Sequence, residues 1–219
     1  MDLRTKKKWD RASSSFNLFQ SYGAERRWAP VKQEFFRAMQ GKVLFVGVGT
    51  GLDIPSFPQD RDIIGIDISD RMLARATSKA RMYRGRLELR QLDVHDIDFA
   101  PGTFDQVFTS CTFCSVPNPV KGLEVLRRVL KPGGELRMFE HTGSGYFPFN
   151  CLLRLMNPVA RLIGPEISRD TVGNVVRAGF QIVRVRHAYL DVLKTIPVSY
   201  THLRAHETRH DLVCRLLLE

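Results

Sequence analysis

Three closely spaced glycines mark the first place in this chain where a small molecule can bind. They lie two apart in the stretch KVLFVGVGTGLDI (42–54), directly after a run of apolar residues. A turn without side chains lets a ligand lie against the main chain, and free N–H groups at a following helix favour an anion. The spacing G-x-G-x-G is neither a dinucleotide fingerprint nor a P-loop. A small anion such as an amino-acid carboxylate therefore suits the turn at Gly47, Gly49 and Gly51.

A carboxylate follows the glycines at a position that suits a nucleoside. Asp67 ends the apolar stretch DIIGID (62–67). At the tip of a second strand, a carboxylate can accept hydrogen bonds from two hydroxyl groups of a ribose. An amino-acid end, a ribose and a base together describe S-adenosyl-L-methionine (SAM), which we predict as the cofactor.

Further reactive side chains lie where later strands are predicted to end. Ser110, Cys111 and Cys114 follow the fourth predicted strand, and Glu140 and His141 end the fifth. We predict that the two cysteines, Glu140 and His141 line the substrate pocket. A histidine there can take a proton from an amine or a thiol, or it can bond a neighbouring loop as a structural residue. The two cysteines have no second pair of ligands, so we predict no metal site and interpret them as small residues that shape a pocket.

Alternating strands and helices are predicted to position these groups. Strands are predicted at 42–47, 62–67, 86–93, 103–110, 135–141 and 181–190, and helices at 9–21, 26–40, 69–81, 118–130, 149–163 and 168–180. Such alternation predicts βαβ units, and therefore a Rossmann-like, doubly wound α/β fold with a mainly parallel sheet and helices on both faces. In these sheets, ligands bind at the carboxyl ends of the central strands.

Four motifs, taken in order, resemble those of class I SAM-dependent methyltransferases over roughly residues 5–196. LFVGVGTG is similar to the first motif, GIDIS to the acidic second motif, LDVHDIDF to the segment that contacts adenine, and LKPGG to the turn before the fifth strand. The resemblance implies that Gly47, Gly49 and Gly51 flank the methionine part of SAM.

The same resemblance implies roles for the remaining cofactor residues. Asp67 would bind the ribose, and Ile68 would cover one face of the adenine. Asp93 would accept a hydrogen bond from the adenine amine, with Val94 beside it. Ser110, at the end of the fourth strand, is assigned to the cofactor side of the site.

Two finer resemblances concern the methyl acceptor. KKKWDRASSSFNLF is similar to the leader of bacterial phosphatidylethanolamine N-methyltransferases and quinone-biosynthesis methyltransferases. CTFCSVPNPVKGLEVLRRVLKPGGELRMFEH is similar to the thiol methyltransferase group called methyltransferase-like seven. Both groups act on lipophilic substrates at membranes, so we predict in-line methyl transfer to a small lipophilic acceptor or a phospholipid headgroup, at an amine or a thiol. The sequence leaves open a non-catalytic RNA- or membrane-binding module on the same fold.

The domain prediction has three parts. A basic helical leader or lid covers residues 1–40, and the SAM-binding domain covers 41–197, with an inserted lid at 142–165 in which Tyr146 either roofs the substrate pocket or packs the lid. Residues 198–219 resemble a translated cloning or adapter sequence, so we predict a non-native tail. On that interpretation the final antiparallel strand of the fold is missing, which leaves a gap in the sheet and a poorly stable product.

The charge of the chain is strongly basic and unevenly placed. The formal net charge is +10, and residues 1–42 contain ten Lys and Arg against four Asp and Glu. This excess indicates an anionic partner or serves solubility alone. Without a membrane-length apolar stretch or a signal peptide, we expect a cytoplasmic chain. The basic, aromatic leader can lie on an anionic membrane surface or form a solvated face, and nucleic acid is not favoured as a partner.

Overall fold

Short apolar runs form the parallel centre of one sheet in the computed structural model of the chain. The structure describes residues 1–14, 16, 24–163, 165–189 and 191–199, without the side chains of 24–26, 159 and 161–163. The parallel strands are β1 (Lys42–Val46), β2 (Asp62–Asp67), β3 (Arg86–Gln91), β4 (Phe104–Ser110) and β5 (Leu130–His141). They lie in the order β3-β2-β1-β4-β5. The strand order reverses beside β1, which is where ligands bind in such sheets.

Helices cover both faces of this sheet, as predicted. They are α1 (Leu3–Ala12), α2 (Ala24–Arg37), α3 (Asp70–Met82), α4 (Pro119–Val129), α5 (Phe149–Ile163) and α6 (Thr171–Arg177), with short 3-10 helices at Ile54–Ser56 and Val94–Asp96. Side-chain caps begin several of them: Ser69 Oγ, for example, accepts a hydrogen bond from Met72 N at 3.1 Å at the start of α3. No helix in the described part of the chain has both the length and the apolar character needed to cross a bilayer.

Two apolar clusters attach the helices, one on each face of the sheet. Successive side chains of a strand point to opposite faces, so Leu44 and Val46 belong to one cluster while Val43 and Phe45 belong to the other. The first cluster packs against α4 and α6, and the second packs against α2 and α3. Both clusters continue to the carboxyl ends of the central strands, so they fix the positions of the residues that follow those strands.

The final antiparallel strand is present, so the prediction that it is missing is wrong. β8 (Leu193–Ser199) runs antiparallel beside β5, and its other edge pairs with β6 (Gln181–Ile182) and β7 (Arg186–Tyr189). The predicted strand at 181–190 is therefore two short strands. Ile196 and Val198 are 0% and 1% exposed, and burial of these side chains favours the entry of the segment into the sheet. The predicted gap is filled, and most of the predicted tail, residues 200–219, lies outside the described residues.

A proline lies inside β8 without disturbing its pairing with β5. The carbonyl of Pro197 accepts a hydrogen bond from Val183 N at 3.2 Å, on the side of β8 away from β5. Because the N–H and C=O groups of one strand residue point to the same side, the donor that proline lacks would also have faced away from β5. Pro197 is therefore compatible with strand β8, although a proline inside a strand usually disrupts the pairing of a sheet.

Candidate active site

The turn after β1 presents bare main chain to a cavity. Gly47, Gly49 and Gly51 have φ angles of +80°, +56° and +75°, in the left-handed region that glycine adopts at least cost. A Cβ on Gly47 would clash with the side chain of Thr112, whereas a Cβ on Gly49 would meet nothing within 4 Å. Gly49 therefore borders open space in which a ligand can approach the backbone.

A cavity of about 510 Å³ lies at the carboxyl ends of β1, β2 and β4. Most of the predicted site residues line it: Gly47, Gly49, Asp67, Ile68, Asp93, Val94, Ser110, Cys111, Cys114 and His141. Three predicted residues, Gly51, Glu140 and Tyr146, are not part of its wall. The structure thus brings residues at the carboxyl ends of the parallel strands to one cavity, as the predicted parallel topology requires.

Asp67 lies beneath the glycine turn and is held by main-chain donors. Its Oδ2 accepts a hydrogen bond from Gly49 N at 2.8 Å, and its Oδ1 accepts one from Ser69 N at 2.9 Å. Burial raises the pKa of this carboxyl, and the two N–H groups oppose that shift. Each oxygen retains a second lone pair, so the carboxylate can also accept from hydroxyl groups of a ligand.

Asp93 also lines the cavity and is held by three contacts. Its Oδ2 accepts from Asp2 N at 2.8 Å, and its Oδ1 accepts from His95 N at 3.0 Å and lies 2.8 Å from His95 Nδ1. Burial raises the pKa of this carboxyl, but the hydrogen bonds outweigh burial and lower it overall. The His95 side chain, which was not among the predicted site residues, is 14% exposed and lines the cavity.

Glu140 supports the cavity wall from behind instead of lining it. Its Oε1 accepts hydrogen bonds from Thr109 Oγ1 at 2.7 Å and Thr112 N at 3.1 Å, and its Oε2 accepts from Phe113 N at 3.1 Å. Burial raises the pKa of this carboxyl to about 7. These bonds hold the loop between β4 and α4, where Cys111 has a φ of +50°. The substrate-lining role predicted for Glu140 is therefore replaced by a positioning role.

His141 lines the cavity and carries a ring nitrogen without a hydrogen-bond partner among the described residues. This nitrogen, Nδ1, is buried. Burial lowers the pKa of the imidazole below its usual value of 6.5, so the ring is neutral at pH 7. A neutral imidazole in a ligand cavity can accept a proton from an incoming group.

The two cavity cysteines favour a structural interpretation. Burial raises the pKa of the Cys114 thiol to about 12, so this group stays protonated at neutral pH, which disfavours a role as a nucleophile. Its Sγ lies 3.4 Å from the carbonyl oxygen of Cys111. No group of three or more His, Cys, Asp or Glu in the described ranges is arranged to hold a metal ion.

Lys32 and Asp53 form a buried ion pair on the cavity wall that the sequence analysis missed. Lys32 Nζ lies 2.7 Å from Asp53 Oδ1, and both residues line the cavity. Lys32 precedes the buried Phe36 by four positions on α2, so the two side chains share one face of the helix. This four-residue spacing could have predicted that Lys32 faces inward. The prediction considered only the apolar residues of that helix face and did not include the lysine.

Helix α1 covers the cavity beside Asp67. Thr5 and Trp9 line the cavity from α1. Asp10 Oδ1 accepts a hydrogen bond from Ser69 Oγ at 2.5 Å. Lys6 Nζ lies 2.8 Å from a carboxylate oxygen of Asp10 and 2.6 Å from one of Asp70. The described part of the predicted leader therefore contacts both the cavity and α3.

The segment after β5 exposes apolar side chains. Tyr146, predicted to line the substrate pocket, is 66% exposed and lies outside the cavity wall. Other exposed apolar residues of this segment and of α5 are Phe147, Leu152, Leu155 and Met156, between 49% and 82% exposed. They form a surface that we call the apolar lid surface, comprising Tyr146, Phe147, Leu152, Leu155 and Met156.

Comparison with known proteins shows what the part of the chain that carries this cavity is similar to. Residues 44–138 match a family model described as a methyltransferase domain. Over 140 residues the chain is 36% identical to a phosphatidylethanolamine N-methyltransferase of Cereibacter sphaeroides, covering 63% of this chain and 66% of that protein. Over 143 residues it is 32% identical to a ubiquinone/menaquinone biosynthesis C-methyltransferase of Geotalea daltonii, covering 62% and 61%. The chain thus spans less than two thirds of the length of either relative.

Solved structures agree on the fold. A crystal structure of a SAM-dependent methyltransferase from Aquifex aeolicus superposes with a TM-score of 0.60, over 79% of this chain and 92% of that chain. The sequences are 22% identical, so the match concerns the fold and not the substrate.

Proposed function

We propose that this chain, whose residues 44–138 match a methyltransferase domain, transfers a methyl group from SAM to the amine of a phospholipid headgroup. The unpartnered Nδ1 of His141, in the cavity that holds the cofactor residues, is the observation that carries the proposal. The similarity to a phosphatidylethanolamine N-methyltransferase supports the choice of acceptor. The alternative of a non-catalytic RNA- or membrane-binding module is not favoured, because the relatives are named as enzymes.

The residues present fit SAM as the cofactor. The bare main chain at Gly49 leaves room for the methionine part, and the Asp67 carboxylate can accept from the two ribose hydroxyls. Ile68 and Val94 line the cavity with apolar side chains that suit an adenine ring. When bound, SAM supplies an electrophilic methyl group on a positively charged sulfur.

An amine acceptor needs a group that removes its proton. A primary ammonium has a pKa near that of lysine, about 10.4, so at neutral pH it has no lone pair with which to react. The neutral imidazole of His141 can accept that proton at Nδ1 and leave the amine nitrogen able to attack a carbon atom. Loop 111–118, held by Glu140, forms part of the cavity wall, and an enclosing wall favours the exclusion of water from reacting groups.

The apolar lid surface supports a lipophilic acceptor. Phe147 and Leu155 are 82% and 78% exposed, and the exposed Arg154 lies between apolar positions of α5. An apolar surface with a cationic side chain suits the boundary between acyl chains and anionic headgroups. We therefore include contact with an anionic membrane surface in the proposal.

Methyl transfer from radiolabelled SAM tests the proposal directly. Vesicles of phosphatidylethanolamine should become labelled, whereas an alkyl thiol and a quinone precursor in the same panel should not. The rate should rise with pH through the lowered pKa of His141 and level off near pH 7, because only the neutral ring accepts a proton.

A histidine variant separates catalysis from cofactor binding. His141→Gln should lower kcat by about 100-fold or more, the usual contribution of a general base, with SAM affinity little changed. The matched control is His187→Gln, since His187 is exposed on β7 outside the cavity wall. Label only in the thiol or the quinone precursor would contradict the choice of acceptor, and equal rates in both variants would contradict the role of His141.

A further inference from the structure

We propose that Arg169 is a positioning residue for the methyl acceptor, because it joins the two chain segments that meet at His141. The contacts of Arg169 would hold an apolar part of the cavity wall, which includes Val116 and Ile167, against the hydrocarbon part of the acceptor. The inference rests on the proposed function, since it takes a lipophilic amine as the acceptor. It goes further by assigning a role to a residue that lies outside the cavity wall.

The main chain of Arg169 contacts the segment that leaves β5. The carbonyl oxygen of Arg169 accepts a hydrogen bond from Gly143 N at 3.0 Å, and Gly143 comes two residues after His141. Two residues of chain span at most about 7 Å. This bond therefore restrains the backbone close to the histidine.

The side chain of Arg169 reaches the loop between β4 and α4. Its Nη1 donates a hydrogen bond to the carbonyl oxygen of Val116, and its Nη2 donates one to Glu166 Oε2 at 2.7 Å. Glu166 N in turn donates to the carbonyl oxygen of Cys114 at 2.8 Å. Segment 165–169 is thus attached to loop 111–118 through both a side chain and the main chain.

This loop begins beside the end of β5. Cys111 N donates to the carbonyl oxygen of Phe139 at 2.8 Å, two residues before His141. Glu140, the residue next to His141, accepts further hydrogen bonds from the loop. Arg169 therefore joins the loop after β4 to the chain after β5, and His141 lies where both segments meet β5.

The burial of the Arg169 side chain supports a role in fixing geometry. The side chain is 11% exposed, and its Nε is buried without a hydrogen-bond partner among the described residues. A guanidinium loses hydration on burial, and a buried donor without a partner adds to that cost. The planar fork of the guanidinium can in return hold two groups in fixed relative positions, here the Val116 carbonyl and the Glu166 carboxylate.

The part of the wall that these contacts hold is apolar. It includes Val116, Pro117, Pro165 and Ile167. Ile167 N also donates to Asn157 Oδ1 at 3.0 Å, which attaches the segment to α5, the helix that carries much of the apolar lid surface. Apolar side chains suit the hydrocarbon part of an acceptor, so this wall and the surface proposed to contact lipid belong to one connected unit.

Separate measurements of acceptor and cofactor binding test the inference. Arg169→Met removes the fork, so KM for phosphatidylethanolamine vesicles should rise by about fivefold or more, while the affinity for S-adenosylhomocysteine by calorimetry should change by less than about twofold. Arg169→Lys keeps the charge without the fork, and its KM should lie between those of wild type and Arg169→Met. The matched control is Arg177→Met, at an exposed position of α6, which should change neither quantity.

Thiol labelling gives a measurement that does not depend on the acceptor. Cys114 lies in the attached loop and is 4% exposed. Arg169→Met should speed its alkylation by iodoacetamide, quantified by mass spectrometry, by about fivefold or more, because the loop opens more often. Arg177→Met should label at the wild-type rate.

An unchanged acceptor KM in Arg169→Met, or equal losses of acceptor and S-adenosylhomocysteine binding, would overturn the inference. Faster labelling of Cys114 in a protein that does not methylate phosphatidylethanolamine would support the role of Arg169 and contradict the proposed function instead. If Arg169→Met does not fold, Ile167→Asn takes its place. This variant puts a polar group into the apolar wall, and it should raise the acceptor KM while the affinity for S-adenosylhomocysteine is kept.

Discussion

A single buried carboxylate organises one wall of the cavity. Glu140 accepts hydrogen bonds from Thr109 Oγ1, Thr112 N and Phe113 N, so three donors on β4 and the following loop meet one side chain. The loop in turn places Cys111 and Cys114 on the cavity wall. Because burial disfavours the charged form, the pKa of Glu140 is raised to about 7. Ionisation of Glu140 near neutral pH would therefore affect the loop that forms this wall of the cavity.

We predict that the unfolding free energy depends on the ionisation of Glu140. A carboxyl with a raised pKa in the folded state contributes its stability below the unfolded value of 4.5 and loses it as the pH rises through about 7. Between pH 5 and 8 the wild type should therefore lose up to about 3 kcal/mol relative to Glu140→Gln, measured by urea unfolding. His141 acts in the opposite direction but is present in both proteins.

The control for this prediction is Glu124→Gln, which removes the same charge at an exposed position of α4. Its unfolding free energy should follow the wild-type pH profile. Parallel profiles for wild type and Glu140→Gln would show that Glu140 does not titrate in this range.

At the scale of elements, α1 is the part of the predicted leader that reaches the site. It contributes Thr5 and Trp9 to the cavity wall and is tied to the start of α3 through Asp10 and Lys6. We propose that α1 serves as the lid predicted within residues 1–40, because a cofactor bound at Asp67 would lie beneath it. The polar ties to α3 then help to keep the cofactor enclosed.

We predict that Lys6→Ala raises the dissociation rate of S-adenosylhomocysteine by about two- to fivefold at low salt. Lys6 joins α1 to Asp70 of α3, and an ion pair near the surface of a protein contributes only weakly to binding the two elements together. The effect should shrink at high salt because ions screen the pair. Lys7→Ala makes the same change at an exposed position of α1 and should leave the rate near that of wild type. Stopped-flow fluorescence measures the dissociation rate of S-adenosylhomocysteine from each variant. Equal rates in the two variants would contradict a role of the Lys6–Asp70 ion pair in retaining the ligand.

At the scale of the whole molecule, a basic net charge accompanies exposed apolar side chains. The formal charge is +10, and the apolar lid surface lies on the segment that follows β5. Attraction to an anionic surface acts over about 8 Å at physiological salt, whereas apolar burial acts only on contact. Together they predict binding to anionic vesicles that weakens with salt.

We predict that Leu155→Asp weakens co-sedimentation with phosphatidylglycerol-containing vesicles by about fivefold or more. Leu155 is 78% exposed within the apolar lid surface, and its insertion would remove apolar area from water. Met82→Asp is the matched control, because Met82 is 82% exposed at the end of α3 and the charge change is the same. An equal loss in both variants would assign the binding to net charge alone.

Local patterns explain why much of the fold could be predicted. The apolar runs of β1, β2 and β4, and the helix at 149–163, occur in the structure close to their predicted bounds. The glycine turn and Asp67 also follow from local chemistry, since a left-handed backbone requires glycine and a strand tip in a parallel sheet faces the ligand crevice. These features depend on residues that are near neighbours in the chain.

Thus the sequence by itself determined the doubly wound core, the glycine turn and the position of Asp67, because each depends on periodicity or backbone chemistry within a few residues. Only the tertiary structure decided that β8 enters the sheet beside β5, that Glu140 turns beneath the loop after β4, and that Lys32 meets Asp53. Each of these arrangements joins segments far apart in the chain, and its free energy comes from burial and pairing that no local pattern encodes.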